Sequence, residues 1–281
     1  MDAPRFVPGF APEVPPGDAL WALFRGTDLL IWLLPEKRAR LLRTAEIEAL
    51  GLPIVRSHHI GTLDGVPCVA GTLADDAPPV EGCQFAGLRV AYGRLPEEAL
   101  DVAMMAFQIQ YWDGHYRFCA GCGGPLALKT TERAKRCDAC ARDFYPPVVP
   151  AIIVRVARGD SVLLTRQSRF PKGMYGLVAG FLEPGETLEQ CVAREVLEET
   201  GIVIRNARYF GSQQWPFPHQ VMVAFTAEHA SGEIVVDTSE LEEAAWFARD
   251  AMPMLPPPLS IARRLLDDWL DQRAAPAAAA R

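Results

Sequence analysis

Several features are scarce in this 281-residue sequence, and each scarcity removes a class of protein. There is no long apolar run: the best candidate, Leu29 to Pro35, falls far short of the ~18 uncharged residues of a membrane span. The first residues lack the charged-then-apolar pattern of a secretory leader, so the expectation is a cytoplasmic protein without a membrane partner. Basic charge is in deficit, with 28 Lys and Arg against 35 Asp and Glu and a formal net charge of −7. A general binder of nucleic-acid backbones needs the opposite excess. No repeat of fixed period occurs, and biased sequence is confined to the ends. What remains, 49% hydrophobic and 22% charged, is ordinary for a soluble globular chain, and the length suggests about two domains.

Seven cysteines, an odd number, do not make a disulfide framework. Four stand in one window as Cys119-x-x-Cys122 and Cys137-x-x-Cys140, with fourteen residues between the pairs, while Cys68, Cys83 and Cys191 are scattered among apolar or small residues. Four thiolates at this spacing satisfy tetrahedral Zn²⁺ and leave no open position, so one structural zinc per chain is expected; a lost site or a redox pair is the alternative. Within residues 119–142, Lys129, Arg133, Lys135, Arg136 and Arg142 outnumber Glu132 and Asp138. That basic ribbon either meets an RNA body or is simply solvated.

Along the chain, residues 1–18 are rich in proline. From Ala19 to about Gly93, the runs LLIWLLP, IGTLDGVPCVAGTL and FAGLRVAYG alternate with turn residues and predict a mostly β region. Leu100, Met104, Phe107 and Tyr111 recur at helical spacing behind Pro96. The paired His58 and His59 suggest either a metal site or an incidental turn. From Ala151 onward, strand-like AIIVRVA, SVLLTRQ, VMVAFTAEH and AAWFA alternate with helices expected over Leu188–Thr200 and after Ser260. The division expected is an N-terminal α/β module over 1–112, a zinc ribbon over 113–147, an α/β domain over 148–272 and a flexible tail over 273–281.

The most informative segment is GFLEPGETLEQCVAREVLEETGI, residues 180–202. On a helical wheel Glu195 and Glu199 fall between Leu188 and its neighbours Cys191 and Val192, with Glu198 beside them, whereas a solvated helix sets its glutamates opposite the apolar stripe. Ala193 and Leu197 make the other side apolar too. All three carboxylates lie in the last turns, at the negative end of the helix dipole, where each is disfavoured by ~0.3–1 kcal/mol. Glu195 and Glu199 also form a like-charge i,i+4 pair. Such a cluster calls for cations, and hard divalent ions that also bind phosphate oxygens are the natural ones; a solvated Glu-rich helix is the bland alternative.

The same segment fits the Nudix box, G-x5-E-x7-R-E-U-x-E-E-x-G-U, at every fixed position: Gly180, Glu186, Arg194, Glu195, Val196, Glu198, Glu199, Gly201 and Ile202. A chance match is on the order of 10⁻⁷ per chain. The chain therefore resembles the Nudix hydrolases, and the paired cysteines upstream make it similar to their NADH pyrophosphatase branch. That branch carries S-Q-P-W-P-F-P-x-S after the box. Here Ser212, Gln213, Trp215, Pro216, Phe217 and Pro218 agree, while Gln214 replaces a proline and Gln220 the final serine, departures that bear on substrate preference. The resemblance covers roughly residues 95–272.

It implies an α+β Nudix fold of α-β-α layers, behind an N-terminal mostly β domain and a four-Cys zinc ribbon. It implies metal-dependent hydrolysis of the pyrophosphate of NAD(H) to nicotinamide mononucleotide and AMP. Removal of an NAD cap from RNA by the same chemistry, or a non-hydrolytic nucleotide-binding regulator, are the alternatives. Glu195, Glu198, Glu199 and Glu240 would hold Mg²⁺ or Mn²⁺, with Glu199 best placed to polarise the attacking water and Arg194 orienting the carboxylates; Glu240 also reads as one acid of an exposed turn. Phe181, Tyr145, Glu132, Gln213, Ala262 and Ala179 are the implied substrate-binding positions. Phe181 could instead be a core aromatic, and Tyr145 could pack the junction after the ribbon. The resemblance favours a homodimer.

Overall fold

The runs broken by Gly, Pro and Asp in the first half of the chain form strands. In the computed structural model, which describes residues 5–258 and 260–272, these are β1 (Phe6–Pro8), β2 (Leu20–Arg25), β3 (Asp28–Leu33), β4 (Ala39–Arg40), β5 (Leu42–Arg43), β6 (Ile54–Leu63), β7 (Val66–Leu73) and β8 (Cys83–Gly87). They make one sheet of order β1-β6-β7-β2-β3-β4, with β5 on β2 and β8 on β3; β2 and β7 pair in parallel. Three helices accompany it: α1 (Thr44–Leu50), α2 (Leu88–Ala91) and α3 (Glu97–His115). The short α1 interrupts the expected β run because Glu46 accepts the Arg43 amide at 2.8 Å and caps it locally. The FAGLRVAYG run divides after Gly87, where Leu88 and Ala91, three residues apart, turn together into the core.

The chain falls into two compact units. The first comprises the residues up to Pro147 together with Pro216–His219, and the second comprises Val148–Trp215 and the residues from Gln220 onward. The tail expected over 273–281 lies outside the described residues. Among the described residues, no helix is long and apolar enough to cross a membrane.

In the first unit, α3 follows Pro96 as its N-cap residue and buries Leu100, Met104 and Phe107, with the Phe107 ring edge-on to Phe24 at 5.5 Å. Phe217 packs on the same core, and the Arg89 guanidinium lies over its ring at 4.6 Å. At the end of α3, buried Asp113 receives Lys135 Nζ at 2.6 Å, His58 Nε2 at 3.1 Å and Arg56 Nε at 3.3 Å. Burial pushes the Asp113 carboxyl up, but the hydrogen bonds from His58 and Lys135 outweigh it and hold it down at about 2. His58 thus lies against Asp113. The ribbon strands β9 (Leu126–Leu128), β10 (Lys135–Cys137) and β11 (Asp143–Phe144) form a separate sheet of order β11-β10-β9.

The second unit has the predicted strand–helix alternation: β12 (Val149–Arg158), β13 (Ser161–Arg166), β14 (Val178–Phe181), α4 (Leu188–Thr200), β15 (Val203–Trp215), β16 (Gln220–Ser231), β17 (Glu243–Ala248) and α5 (Ile261–Asp271). Its mixed sheet runs β15-β16-β12-β13-β17, with β14 on β12 and a parallel β12–β16 pair. Period-two alternation along β12 explains the layers. Ile152, Val154 and Val156 pack with Val192 and Val196 of α4, whereas Ile153 packs with Leu265 and Trp269 of α5. Ser260 caps α5 by accepting the Arg263 amide. The long β15 is not anticipated: it is the sheet edge, mostly exposed and broken by register shifts, so no clean apolar alternation marks it.

Candidate active site

The local sequence fixes α4 at both ends. Thr187 Oγ1 accepts the Gln190 amide, Gln190 Oε1 accepts the Thr187 amide at 2.8 Å, and Gly201 closes the helix in the left-handed region at φ 69°. Its rotation about the axis then decides which carboxylates are buried. Glu195 and Glu199 face inward with Cys191, Val192 and Val196, whereas Glu198 is exposed. Ala193 and Leu197 open to solvent, so the side read as apolar on the wheel is not a second buried face.

Gly180 of β14 lies against Glu195. A Cβ at Gly180 would stand 1.9 Å from the Glu195 carboxyl carbon and 2.0 and 2.2 Å from its oxygens, so only glycine leaves space for the acid. Arg194 ties the group together. Its Nε and Nη2 donate to the two oxygens of Glu186 at 2.6 and 2.9 Å, Nη1 to Glu195 at 2.9 Å and Glu198 at 3.0 Å, and Nη2 also to the Phe181 carbonyl at 3.0 Å. One guanidinium therefore anchors three carboxylates and the backbone of β14 through charge-assisted bonds. Its hydrogen bonds, with that of the Glu183 amide, hold the Glu186 carboxyl down at about 2.

Glu199 lies outside that network. It is 2% exposed, and both its oxygens are buried without a hydrogen-bond partner. Burial, then the charges of Glu195, Glu240 and Asp237, push its carboxyl up to about 8; Arg169 opposes them. Burial likewise raises Glu195, against the pull of Arg194. The loop carrying Glu240 is pinned to the end of α4 by the Asp237 amide on the Glu199 carbonyl (3.0 Å) and the Val235 amide on the Thr200 carbonyl (2.9 Å). An orphaned buried carboxylate with acids around it is a donor set for a hard divalent cation, because unpaired anions in a low-dielectric recess need countercharge. The sequence alone does not single out Asp237 or Arg169. The acidic TSELEE run signalled only Glu240, and nothing local marks Arg169.

The remaining predicted residues fall in two places. In the second unit, Phe181 is half-exposed directly after Gly180, Ala179 precedes it on β14, and Gln213 Oε1 accepts the Ile261 amide at 2.8 Å, one residue before Ala262. In the first unit, the exposed Tyr145 hydroxyl donates to Glu132 at 3.2 Å. The sulfurs of Cys119 and Cys140 are 3.5 Å apart, those of Cys122 and Cys137 3.4 Å, those of Cys122 and Cys140 3.7 Å, and all four lie within 4.8 Å of one another. A tetrahedron with ~2.3 Å Zn–S bonds has edges of roughly 3.8 Å, so the four cysteines form a closed structural zinc site. The basic ribbon is less available than its composition suggests. Lys129 pairs with Glu132 and Asp143, Arg136 with Asp143, Lys135 is buried on Asp113, and Arg133 donates to the Gly9 and His59 carbonyls.

Comparison with known proteins gives three family matches in succession. They are an NADH pyrophosphatase-like rudimentary NUDIX domain over residues 18–112, an NADH pyrophosphatase zinc ribbon domain over 115–145 and a NUDIX domain over 145–270. Among curated relatives, the NAD-capped RNA hydrolase NudC of Pseudomonas fluorescens is 41% identical over 253 residues, covering 90% of each chain. The protein of the same name from Stutzerimonas stutzeri is 43% identical over 227 residues, 81% of this chain and 82% of its own. That from Chromobacterium violaceum is 39% identical over 262 residues, 93% and 94% of the two chains.

Proposed function

The chain belongs to the Nudix hydrolases, in the group where an NADH pyrophosphatase-like domain and a zinc ribbon precede the NUDIX domain, and on that premise we propose that it is an NAD(H) diphosphatase that also removes NAD caps from RNA. Water attacks one phosphorus of the pyrophosphate and the bridging P–O bond breaks, leaving nicotinamide mononucleotide and AMP, or a 5′-phosphorylated RNA. The observation that carries this reading is the buried, unpartnered Glu199 carboxylate set among Glu195, Glu240 and Asp237. The non-hydrolytic regulator fits less well, since such a recess is costly to keep without chemistry to use it.

Glu195, Glu198, Glu199 and Glu240 would hold Mg²⁺ or Mn²⁺, which when bound neutralises charge on the diphosphate and makes water acidic enough to ionise near neutral pH. Glu199 accepts the proton of the attacking water. Arg194 fixes Glu195, Glu198 and Glu186 against the Phe181 carbonyl, so the acids keep their positions through the reaction. The half-exposed Phe181 ring is the base-stacking surface, with Ala179, Gln213 and Ala262 on the same unit. On the first unit, Tyr145 and Glu132, joined by their hydrogen bond, are the substrate-binding positions that the resemblance implies there.

The domain division we adopt is 1–112, 113–147 and 148–272. A homodimer in the cytoplasm is part of the same proposal, supported by the family and by seven unpaired cysteines, which suit a reducing compartment. The test is a product assay with Mg²⁺ or Mn²⁺ on NADH, NAD⁺, ADP-ribose, diadenosine polyphosphates and NAD-capped RNA. Wild type is expected to release nicotinamide mononucleotide and Glu199→Gln to release almost none; equal rates for the two would refute the assignment. Sedimentation of the intact protein checks the dimer.

A further inference from the structure

On the second unit, away from Glu195, Glu198, Glu199 and Glu240, lies a polar recess of about 620 Å³ at the far ends of β12 and β16. Five arginines line it: Arg155, Arg158, Arg205, Arg208 and Arg249. Arg155 shares the α5 face of β12 with Ile153, two residues before it, whereas the acids of α4 lie over the opposite face. Along the strand, Ala157 and Arg158 stand roughly 20 Å beyond Ala151, the residue paired with Phe181, at ~3.3 Å per residue.

Arg155 is the unusual group. It is 7% exposed, its Nε is buried without a hydrogen-bond partner, and among the described residues it has no ion pair. Burial disfavours its charge and Arg249 repels it, while Asp268 favours it only from beyond ion-pair distance. Glu228, which lines the recess, pairs with Arg205 at 3.2 Å, Asp160 pairs with Arg249 at 3.2 Å, and Asp268 itself accepts the Gln272 amide at 2.8 Å. Arg158 stacks on Trp246 at 4.3 Å and, like Arg208, has no carboxylate partner among the described residues. A buried planar guanidinium lining a basic recess, with the exposed guanidiniums of Arg158 and Arg208 in the same lining, matches the oxygen geometry of phosphate.

We propose that this recess is a second, non-catalytic anion site, in which Arg155, with Arg158 and Arg208, binds a phosphate group. The phosphate comes either from a small free ligand or from the phosphodiester backbone of an RNA strand. The proposal does not depend on the hydrolase reading, since it uses none of the glutamates.

The test is titration calorimetry on the intact protein, without added divalent ions and at constant ionic strength. The probes are inorganic phosphate, AMP and a short 5′-hydroxyl oligoribonucleotide, against wild type, Arg155→Met and the exposed-site variants Arg158→Gln and Arg208→Gln. Wild type is expected to bind at least one probe saturably, with affinity falling roughly tenfold or more in Arg155→Met and several-fold in each exposed variant. Tighter binding of AMP or phosphate identifies a free ligand, and tighter binding of the oligonucleotide identifies a strand. Absence of saturable binding at millimolar probe, or binding unchanged in Arg158→Gln and Arg208→Gln, would overturn the proposal. Those two substitutions lie on exposed side chains, so the result is readable whether or not Arg155→Met folds.

Discussion

Replacing Glu199 by glutamine keeps the outline of the side chain and removes its charge. The carboxyl is raised from its ordinary 4.5 to about 8 in the folded chain. A raised acid contributes its full stability below pH 4.5 and loses it progressively as pH rises to about 8, after which the loss is constant. At 1.36 kcal/mol per pH decade, wild type without divalent ions gives up roughly 3 kcal/mol between pH 4.5 and pH 7 through this residue. Glu199→Gln has no such charge to expose. The two proteins should therefore melt together near pH 4.5, and the variant should melt about 6–12 °C higher at pH 7, taking ~2–4 °C per kcal/mol for a unit of this size. Added Mg²⁺ should raise the wild-type transition and narrow the gap, because the cation supplies the countercharge. Thermal melts by circular dichroism across this pH range, with and without Mg²⁺, are the assay. Parallel pH profiles, or a variant less stable at pH 7 without divalent ions, would refute the reasoning.

Gly180→Ala places a methyl group within 2.2 Å of the Glu195 carboxylate, so kcat should fall about 100-fold with the melting temperature little changed; a variant retaining most of its activity would show that Glu195 moves aside freely. Asp113→Asn strips the buried Lys135 of its counterion, with an expected loss of about 3–5 kcal/mol in urea unfolding at pH 7. Wild type should lose the Asp113 contribution in acid, as the pH falls from 3.8 through about 2, and the Asn variant should lack that limb. Metal analysis should find about one zinc per chain, and Cys137→Ser should release it and make residues 119–140 sensitive to protease; folded protein free of zinc would contradict the ribbon assignment.

The parts of the site legible in the sequence were those that local rules dictate. Thr187, Gly201 and the periodicity of Cys191, Val192 and Val196 set the helix and its inward face, and the paired cysteines announced their tetrahedron. What stayed hidden depends on tertiary approach. Asp237 and Arg169 bear on Glu199 only because separate loops fold back on α4, and β15 is an exposed edge whose pattern is written by its neighbour β16. Composition misled at the ribbon, where four of five basic residues are occupied by carboxylates or carbonyls. It also gave no hint of Arg155, whose burial follows from alternation within a strand that reads simply as apolar.

The assignment of Pro216–His219 to the first unit has a consequence for how the chain is made. Phe217 packs against that unit's core under the Arg89 guanidinium, yet it is synthesised only after Val148–Trp215. The N-terminal half therefore cannot complete its packing as it leaves the ribosome, and no single cut in the gene yields both units whole. A fragment ending at Pro147 would lack the Phe217 ring that packs against its core.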